Sequence, residues 1–151
     1  MSEQPVRQRI LVVDDNAANA ELIGAYLAGT GWAVETAHSG AEALAKATSQ
    51  PPDVVLLDLM MPGVSGYEVC SQLKARAETK DIPVIVVTAL TEVEAVEKAI
   101  DAGADDFLSK PVNRLELITR IKSLLSVRHL RGELARTLAY LDAVNKGGRP
   151  G

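Results

Sequence analysis

The residue that organises this chain is Asp58. It ends the apolar run Val54-Val55-Leu56-Leu57 and is soon followed by the breaker Pro62-Gly63. Three other apolar runs also stop at polar residues: Asp14-Asp15 after Ile10–Val13, Thr88 after Val84–Val87, and Lys110, just before Pro111, after Asp106–Ser109. Alone, each has an ordinary explanation. Asp14-Asp15 could be acids at a helix N-terminus, Thr88 a β-branched strand residue, and Lys110 a surface lysine. The set asks for more. Carboxylates converging at one end of a sheet repel each other, and a divalent cation resolves the repulsion. Oxygen donors with few protein groups suit Mg²⁺, which keeps several waters. Asp15 and Asp58 are the expected direct ligands, with Asp14 holding a metal-bound water and the backbone carbonyl of Met60 completing the protein's share. A carboxylate beside Mg²⁺ can attack a phosphoryl donor in line and form an aspartyl phosphate. Lys110 then supplies a cation, Thr88 a hydroxyl and the backbone N–H of Ala89 a further donor to the phosphoryl oxygens.

Elements must bring those residues together. The apolar runs Arg9 to Asp14, Trp32 to Ala37, Asp53 to Asp58, Ile82 to Thr88 and Asp106 to Ser109 read as strands. The first, third and fourth barely alternate, as central parallel strands covered on both faces do, whereas Trp32, Val34 and Thr36 alternate as an edge does. Helical stretches lie between them. Ser39-x-x-Glu42, Ser65-x-x-Glu68 and Thr91-x-x-Glu94 are capping-box patterns, and Asn113-x-x-Glu116 is similar. Gly31 and Gly103 stand where left-handed residues should close helices. Apolar spacing near 3.6 puts Leu22, Tyr26 and Leu27 on one helix face, and Ala41, Leu44 and Ala45 on another. Strict strand–helix alternation predicts an α/β, doubly wound, five-stranded parallel sheet with right-handed crossovers. Ligands bind such sheets outside the carboxyl ends of the strands, where these polar residues fall.

Composition removes several function classes. The 151 residues suit one domain, with 47% hydrophobic and 24% charged residues. A net charge of −4 gives no reason to expect direct nucleic-acid binding. No apolar run approaches the roughly 20 residues that span a bilayer, so no membrane insertion is expected. Met1-Ser2-Glu3-Gln4-Pro5 lacks the apolar part of a signal peptide. Cys70 is the single cysteine, a core residue rather than half of a disulfide. A cytoplasmic protein is expected.

Together the motifs Leu11-Val12-Val13-Asp14-Asp15, Leu57-Asp58-Leu59-Met60-Met61-Pro62-Gly63, Val87-Thr88-Ala89 and Gly103-Ala104-Asp105-Asp106-Phe107-Leu108-Ser109-Lys110-Pro111 resemble the receiver domain of two-component response regulators. The resemblance runs from about Arg9 to Val127. It implies the flavodoxin-like strand order 2-1-3-4-5, a cis Lys110–Pro111 bond, and phosphorylation of Asp58 by a histidine kinase or phosphotransfer protein. It implies a switch in which the Thr88 hydroxyl is drawn to the phosphate and Phe107 rotates inward. Phe107 lacks the hydroxyl of relatives with tyrosine there, so plain core packing is the other reading of it. Apolar Met60 and Leu90, each two residues past a site residue, should exclude the water that hydrolyses an acyl phosphate. Slow self-dephosphorylation is expected.

The last helical signal starts at Asn113 and continues to about Val144, roughly 30 residues or about 45 Å. Leu117, Leu124 and Leu138 share one heptad position, Val127, Leu134 and Leu141 another, and Arg131 interrupts the seam. Beyond Arg128 no sheet remains to cover Leu130, Leu134, Leu138 and Leu141. A homodimer through this C-terminal helix is expected; folding back on the domain, or a linker within a larger protein, are the alternatives. The expected division is a tail over 1–8, a receiver over 9–127, a helical stalk over 128–146 and a tail over 147–151, with Gly147, Gly148 and Pro150 as breakers. The resemblance is strongest to receivers that precede diguanylate cyclase or kinase output domains. Receivers of DNA-binding regulators often dimerise through a basic residue on the fourth helix; Val96 stands there, which disfavours that dimer. His129 has no catalytic context around it.

The chain is expected to accept a phosphoryl group and not to be an enzyme. It reads either as a receiver acting alone or as a fragment of a larger regulator with an output domain such as a diguanylate cyclase. A hydrolase working through an aspartyl phosphate typically carries a second acid two residues after the nucleophile, where this chain has Met60. A nucleotide-binding relative of flavodoxin would want a glycine-rich loop after the first strand, and Asn16-Ala17-Ala18-Asn19 is not one.

Overall fold

The computed structural model describes residues 7–89 and 93–147. Residues 1–6 of the expected N-terminal tail, Leu90, Thr91 of one expected cap, and the breakers Gly148 and Pro150 lie outside the described residues. Strands β1 (Arg9–Val13), β2 (Ala33–Ala37), β3 (Val54–Asp58), β4 (Val84–Thr88) and β5 (Asp106–Ser109) alternate with helices α1 (Ala17–Leu27), α2 (Gly40–Ser49), α3 (Gly66–Ala75), α4 (Val93–Asp101) and α5 (Arg114–Gly147). The strands form one parallel sheet in the order β2-β1-β3-β4-β5, so β2 is an edge, as its alternation predicts. Every residue of β3 and β4 is buried.

Successive side chains of a strand point to opposite faces, and the core divides accordingly. Leu11, Val13, Val55, Leu57, Val84 and Val86 meet Ala43, Ala47, Val69, Leu73 and Ala99 from α2, α3 and α4, with Cys70 among them. Ile10, Val12, Leu56, Ile85 and Val87 meet Ile23, Leu27, Leu117 and Ile121 from α1 and α5 on the other face. Both faces must be apolar, which is why the central strands do not alternate.

Side chains start the helices. Ser39 accepts from the backbone N–H of Glu42 at 3.1 Å, Ser65 from that of Glu68 at 3.3 Å, and Asn113 from that of Glu116 at 3.0 Å. Each such cap contributes about 1 kcal/mol. Asn16 caps α1, accepting from Asn19. At the end of α4, Gly103 has φ 101°, and Gly103 and Ala104 donate backward to the carbonyls of Ile100 and Ala99. That is a Schellman ending.

The structure departs from the sequence expectation at the end of α1 and in the apolar phases of α1 and α2. The left-handed residue that turns the chain after α1 is Gly29, φ 83°, while Gly31, φ 90°, belongs to the approach to β2. The apolar phases of α1 and α2 are also shifted. Ala20, Ile23 and Leu27 are buried and Leu22 is exposed; Ala43 and Ala47 are buried while Ala41 and Ala45 are exposed.

Helix α5 has 34 residues and continues through Gly147, three past the expected end near Val144. At 1.5 Å per residue it is about 50 Å long. Its first half buries Leu117, Ile121 and Leu125 against the sheet. Arg128 then donates to a carboxylate oxygen of Asp53 at 2.8 Å, and that carboxylate also accepts from the backbone of Arg9 at 2.7 Å, which fastens the helix where it leaves the domain. Beyond it Leu130, Leu134, Leu138 and Leu141 are at least half exposed. Leu134 lies about 140° around the helix from Ile121, so the exposed stripe faces away from the sheet.

Candidate functional site

Strand register builds the site. Val13 is level with Leu57 in neighbouring strands, so the next residues, Asp14 and Asp58, fall side by side. Thr88 is level with Ser109, and the backbone N–H of Lys110 donates to the Thr88 carbonyl at 2.9 Å. The hydroxyl residue and the cation are thereby tied at the same edge. The Lys110–Pro111 bond is cis.

Asp14 and Asp58 are buried, whereas Asp15 is exposed. Carboxylate oxygens of all three lie within 4.8 Å of one another. The Lys110 ammonium sits 3.1 Å from Asp14 Oδ2 and 3.6 Å from Asp58 Oδ2, bridging the two buried acids. The remaining oxygen of each is also held: Asp14 Oδ1 accepts from the backbone of Asn16 at 2.9 Å, and Asp58 Oδ1 from that of Met60 at 3.2 Å. Burial pushes the Asp58 carboxyl above the usual range. The Met60 N–H and Lys110 pull it back, and the neighbouring charges of Asp14 and Asp15 push it up again.

Thr88 is fully buried at the end of β4, and Ala89 after it is exposed. The Met60 side chain is exposed, and its backbone joins the site through the bond to Asp58. Phe107 is half-buried and packs against the cluster beneath α2, α3 and α4. The structure therefore gathers Asp14, Asp15, Asp58 and Lys110 at one sheet end, with Thr88 at the same edge, and leaves Phe107 at its flank.

Two neighbours carried no sequence signal as site residues. Gly66 opens α3 directly behind the acceptor: a Cβ there would collide with the Asp58 carbonyl oxygen and come within 2.6 Å of Leu59 Cα. His38 follows β2, and its Nδ1 lies 3.2 Å from the Asp14 carbonyl oxygen. The pattern Pro62-Gly63-x-x-Gly66 marks a turn, but not the close approach that requires Gly66.

A family model described as "Response regulator receiver domain" matches residues 10–122. This chain belongs to the response regulator receiver domain family. The response regulator PleD of Caulobacter vibrioides is 43% identical over 126 residues, covering 83% of this chain and 28% of that protein. The response regulator MprA of Mycobacterium avium is 45% identical over 117 residues, covering 78% of this chain and 50% of that protein. This receiver chain thus spans half or less of the length of these relatives. Among solved structures, a CheY-like response regulator receiver domain protein from Methanospirillum hungatei aligns with a TM-score of 0.78 at 29% identity, over 83% of this chain and 99% of that one. Among the described residues, no helix of this receiver is long and apolar enough to cross a membrane.

Proposed function

We propose that this receiver accepts a phosphoryl group on Asp58 from a histidine kinase or phosphotransfer protein. The observation that carries the reading is the pair of buried acids, Asp14 and Asp58, bridged by Lys110 and open on the Asp15 side. Two buried acids held by one lysine do nothing for the fold that an apolar pair would not do better. Their use is to meet an incoming charge. An Asp58 oxygen attacks phosphorus, the bond from phosphorus to the donor's imidazole nitrogen breaks, and that nitrogen keeps the electron pair. Lys110 shifts from Asp14 and Asp58 to the phosphoryl oxygens, and the Thr88 hydroxyl and Ala89 N–H donate to them.

The donor set fits Mg²⁺: hard oxygens, three carboxylates, and an exposed side at Asp15 where waters can stay. Asp15, Asp58 and the Met60 carbonyl would hold the ion directly and Asp14 through a water. When bound, Mg²⁺ offsets the charge that builds on the transferring phosphoryl group.

We assign the chain no turnover of its own: the residue two past Asp58 is Met60, not a second acid. We propose that the chain is cytoplasmic and, because it spans 28% of PleD and 50% of MprA, that it serves as a module of a longer regulator. An output domain such as a diguanylate cyclase would follow the receiver, residues 9–127, and the helical extension that α5 carries on to Gly147. The exposed stripe on α5 suits a second copy of the same helix. Light scattering with and without beryllofluoride, a phosphoryl mimic, tests that pairing; a monomer in both states refutes it. The phosphoacceptor reading is tested by intact mass after incubation with Mg²⁺ and a small phosphodonor. One phosphoryl group per chain, absent in Asp58→Asn, is expected, whereas rapid catalytic release of phosphate would point to a hydrolase.

A further inference from the structure

Helix α4 follows the site strand β4 and is the least anchored helix of the domain. Its one buried residue is Ala99, while Val93 and Ile100 are 71% and 61% exposed. A half-open groove of about 190 Å³ runs along its edge toward β5, lined by Val96, Ala99, Ile100 and Phe107 among others. A helix with so little buried surface can shift at low cost.

Two side-chain contacts tie α4 to α3, beside the core packing of Ala99. The Tyr67 hydroxyl donates to the Ala95 carbonyl at 3.3 Å, and the Lys98 ammonium lies 4.4 Å from the centre of the Tyr67 ring. Tyr67 is the second residue of α3, immediately after Gly66, whose backbone presses on Asp58. One side chain thus links the backbone behind the acceptor to the helix beyond Thr88.

We propose that Tyr67, with Lys98 stacked on its ring, is a positioning residue that holds α4 in the place it takes when Asp58 is unphosphorylated. The proposal rests on the phosphoacceptor reading. Ala89 and Val93, the first residue of α4, are four positions apart, so drawing Thr88 and Ala89 toward a phosphoryl group pulls on α4, and the Tyr67 latch resists that pull. A contact present in the resting state alone lowers the apparent affinity for any ligand of the other state, by a factor set by its own strength. A hydrogen bond of this kind and an exposed cation–π contact are each worth roughly a 2- to 5-fold change.

The test is titration of beryllofluoride, with Mg²⁺ present, into the wild-type chain, Tyr67→Phe, Lys98→Met and Lys98→Arg, together with thermal unfolding of each unliganded protein. Tyr67→Phe keeps the ring and loses the hydroxyl; Lys98→Met keeps the stem and loses the charge. Both variants should bind beryllofluoride roughly 2- to 5-fold more tightly while melting no higher than wild type, and Lys98→Arg should bind as wild type does. Unchanged or weaker binding by Tyr67→Phe and Lys98→Met, beside a wild type that binds, would overturn the latch and leave the phosphoacceptor reading standing. Lower melting with unchanged affinity would show a brace common to both states, which also overturns it. A wild type that takes up no beryllofluoride would overturn both.

Discussion

Replacing the proposed acceptor should make the metal-free protein more stable. The charges at the site set the sign. With an effective dielectric constant near 20, two unit charges 4.8 Å apart interact by about 3.5 kcal/mol. The three acid–acid pairs lie within that distance, so together they cost at least about 10 kcal/mol. The Lys110 contacts at 3.1 and 3.6 Å return about 5.4 and 4.6 kcal/mol, a sum that offsets the repulsion almost fully. Asp58→Asn removes two repulsions and one attraction, a relief of about 2 kcal/mol that solvent around exposed Asp15 reduces. The burial penalty on the Asp58 charge goes as well, while the amide oxygen can keep the bond from the Met60 N–H. The expected gain is about 1–3 kcal/mol, or roughly 2–10 °C in melting temperature. The pH dependence has a definite sign. Burial raises the carboxyl of Asp58 in the folded state above its ordinary 3.8, so wild type matches the variant at pH below about 4 and falls behind as pH rises through the raised value. Denaturant unfolding of both proteins in chelator, from acid to neutral pH, measures this. A variant at neutral pH that is no more stable than wild type, or a gap that widens in acid, would refute the reasoning.

Three further outcomes follow from the same geometry. Gly66→Ala drives a methyl into the Asp58 carbonyl and the Leu59 Cα, and should destabilise the domain by about 2 kcal/mol or more, read by denaturant midpoint. Lys110→Ala leaves Asp14 and Asp58 side by side without their cation; protonation of one acid caps the loss, so it should lower stability in chelator by about 3–5 kcal/mol and slow phosphorylation by a small phosphodonor at least about tenfold. The exposed thioether of Met60 stands beside the acceptor where a polar side chain could orient an attacking water, so the phosphorylated protein should persist far longer than seconds, and Met60→Glu should shorten its lifetime; intact mass against time measures both.

The strands and their polar ends were readable because the central strands are unbroken Val, Ile and Leu runs that stop at Asp14-Asp15, Asp58 and Thr88. Parallel register then makes the ends of those runs meet, so Asp14, Asp58, Thr88 and Lys110 assemble from local pattern alone. The helix faces were less readable because alanine is abundant on both sides of them. Ala41 and Ala45 have the same chemistry as Ala43 and Ala47, and only the packing of α2 against β1 and α3 distinguishes them. Leu22 illustrates the converse, an apolar residue that the domain leaves half exposed. Gly66 and the Tyr67–Lys98 contact depend on how closely α3 approaches β3 and α4, distances that no spacing along the chain encodes.

Asp58 is the residue proposed to take the phosphoryl group. Peptide mapping of the chain after reaction with Mg²⁺ and a small phosphodonor, with the acyl phosphate trapped by hydride reduction, tests it most directly. One modified residue, Asp58, is expected, with no modification in chelator or in Asp58→Asn. Label on Asp14, on Asp15 or on a histidine, with Asp58 unmodified, would contradict it.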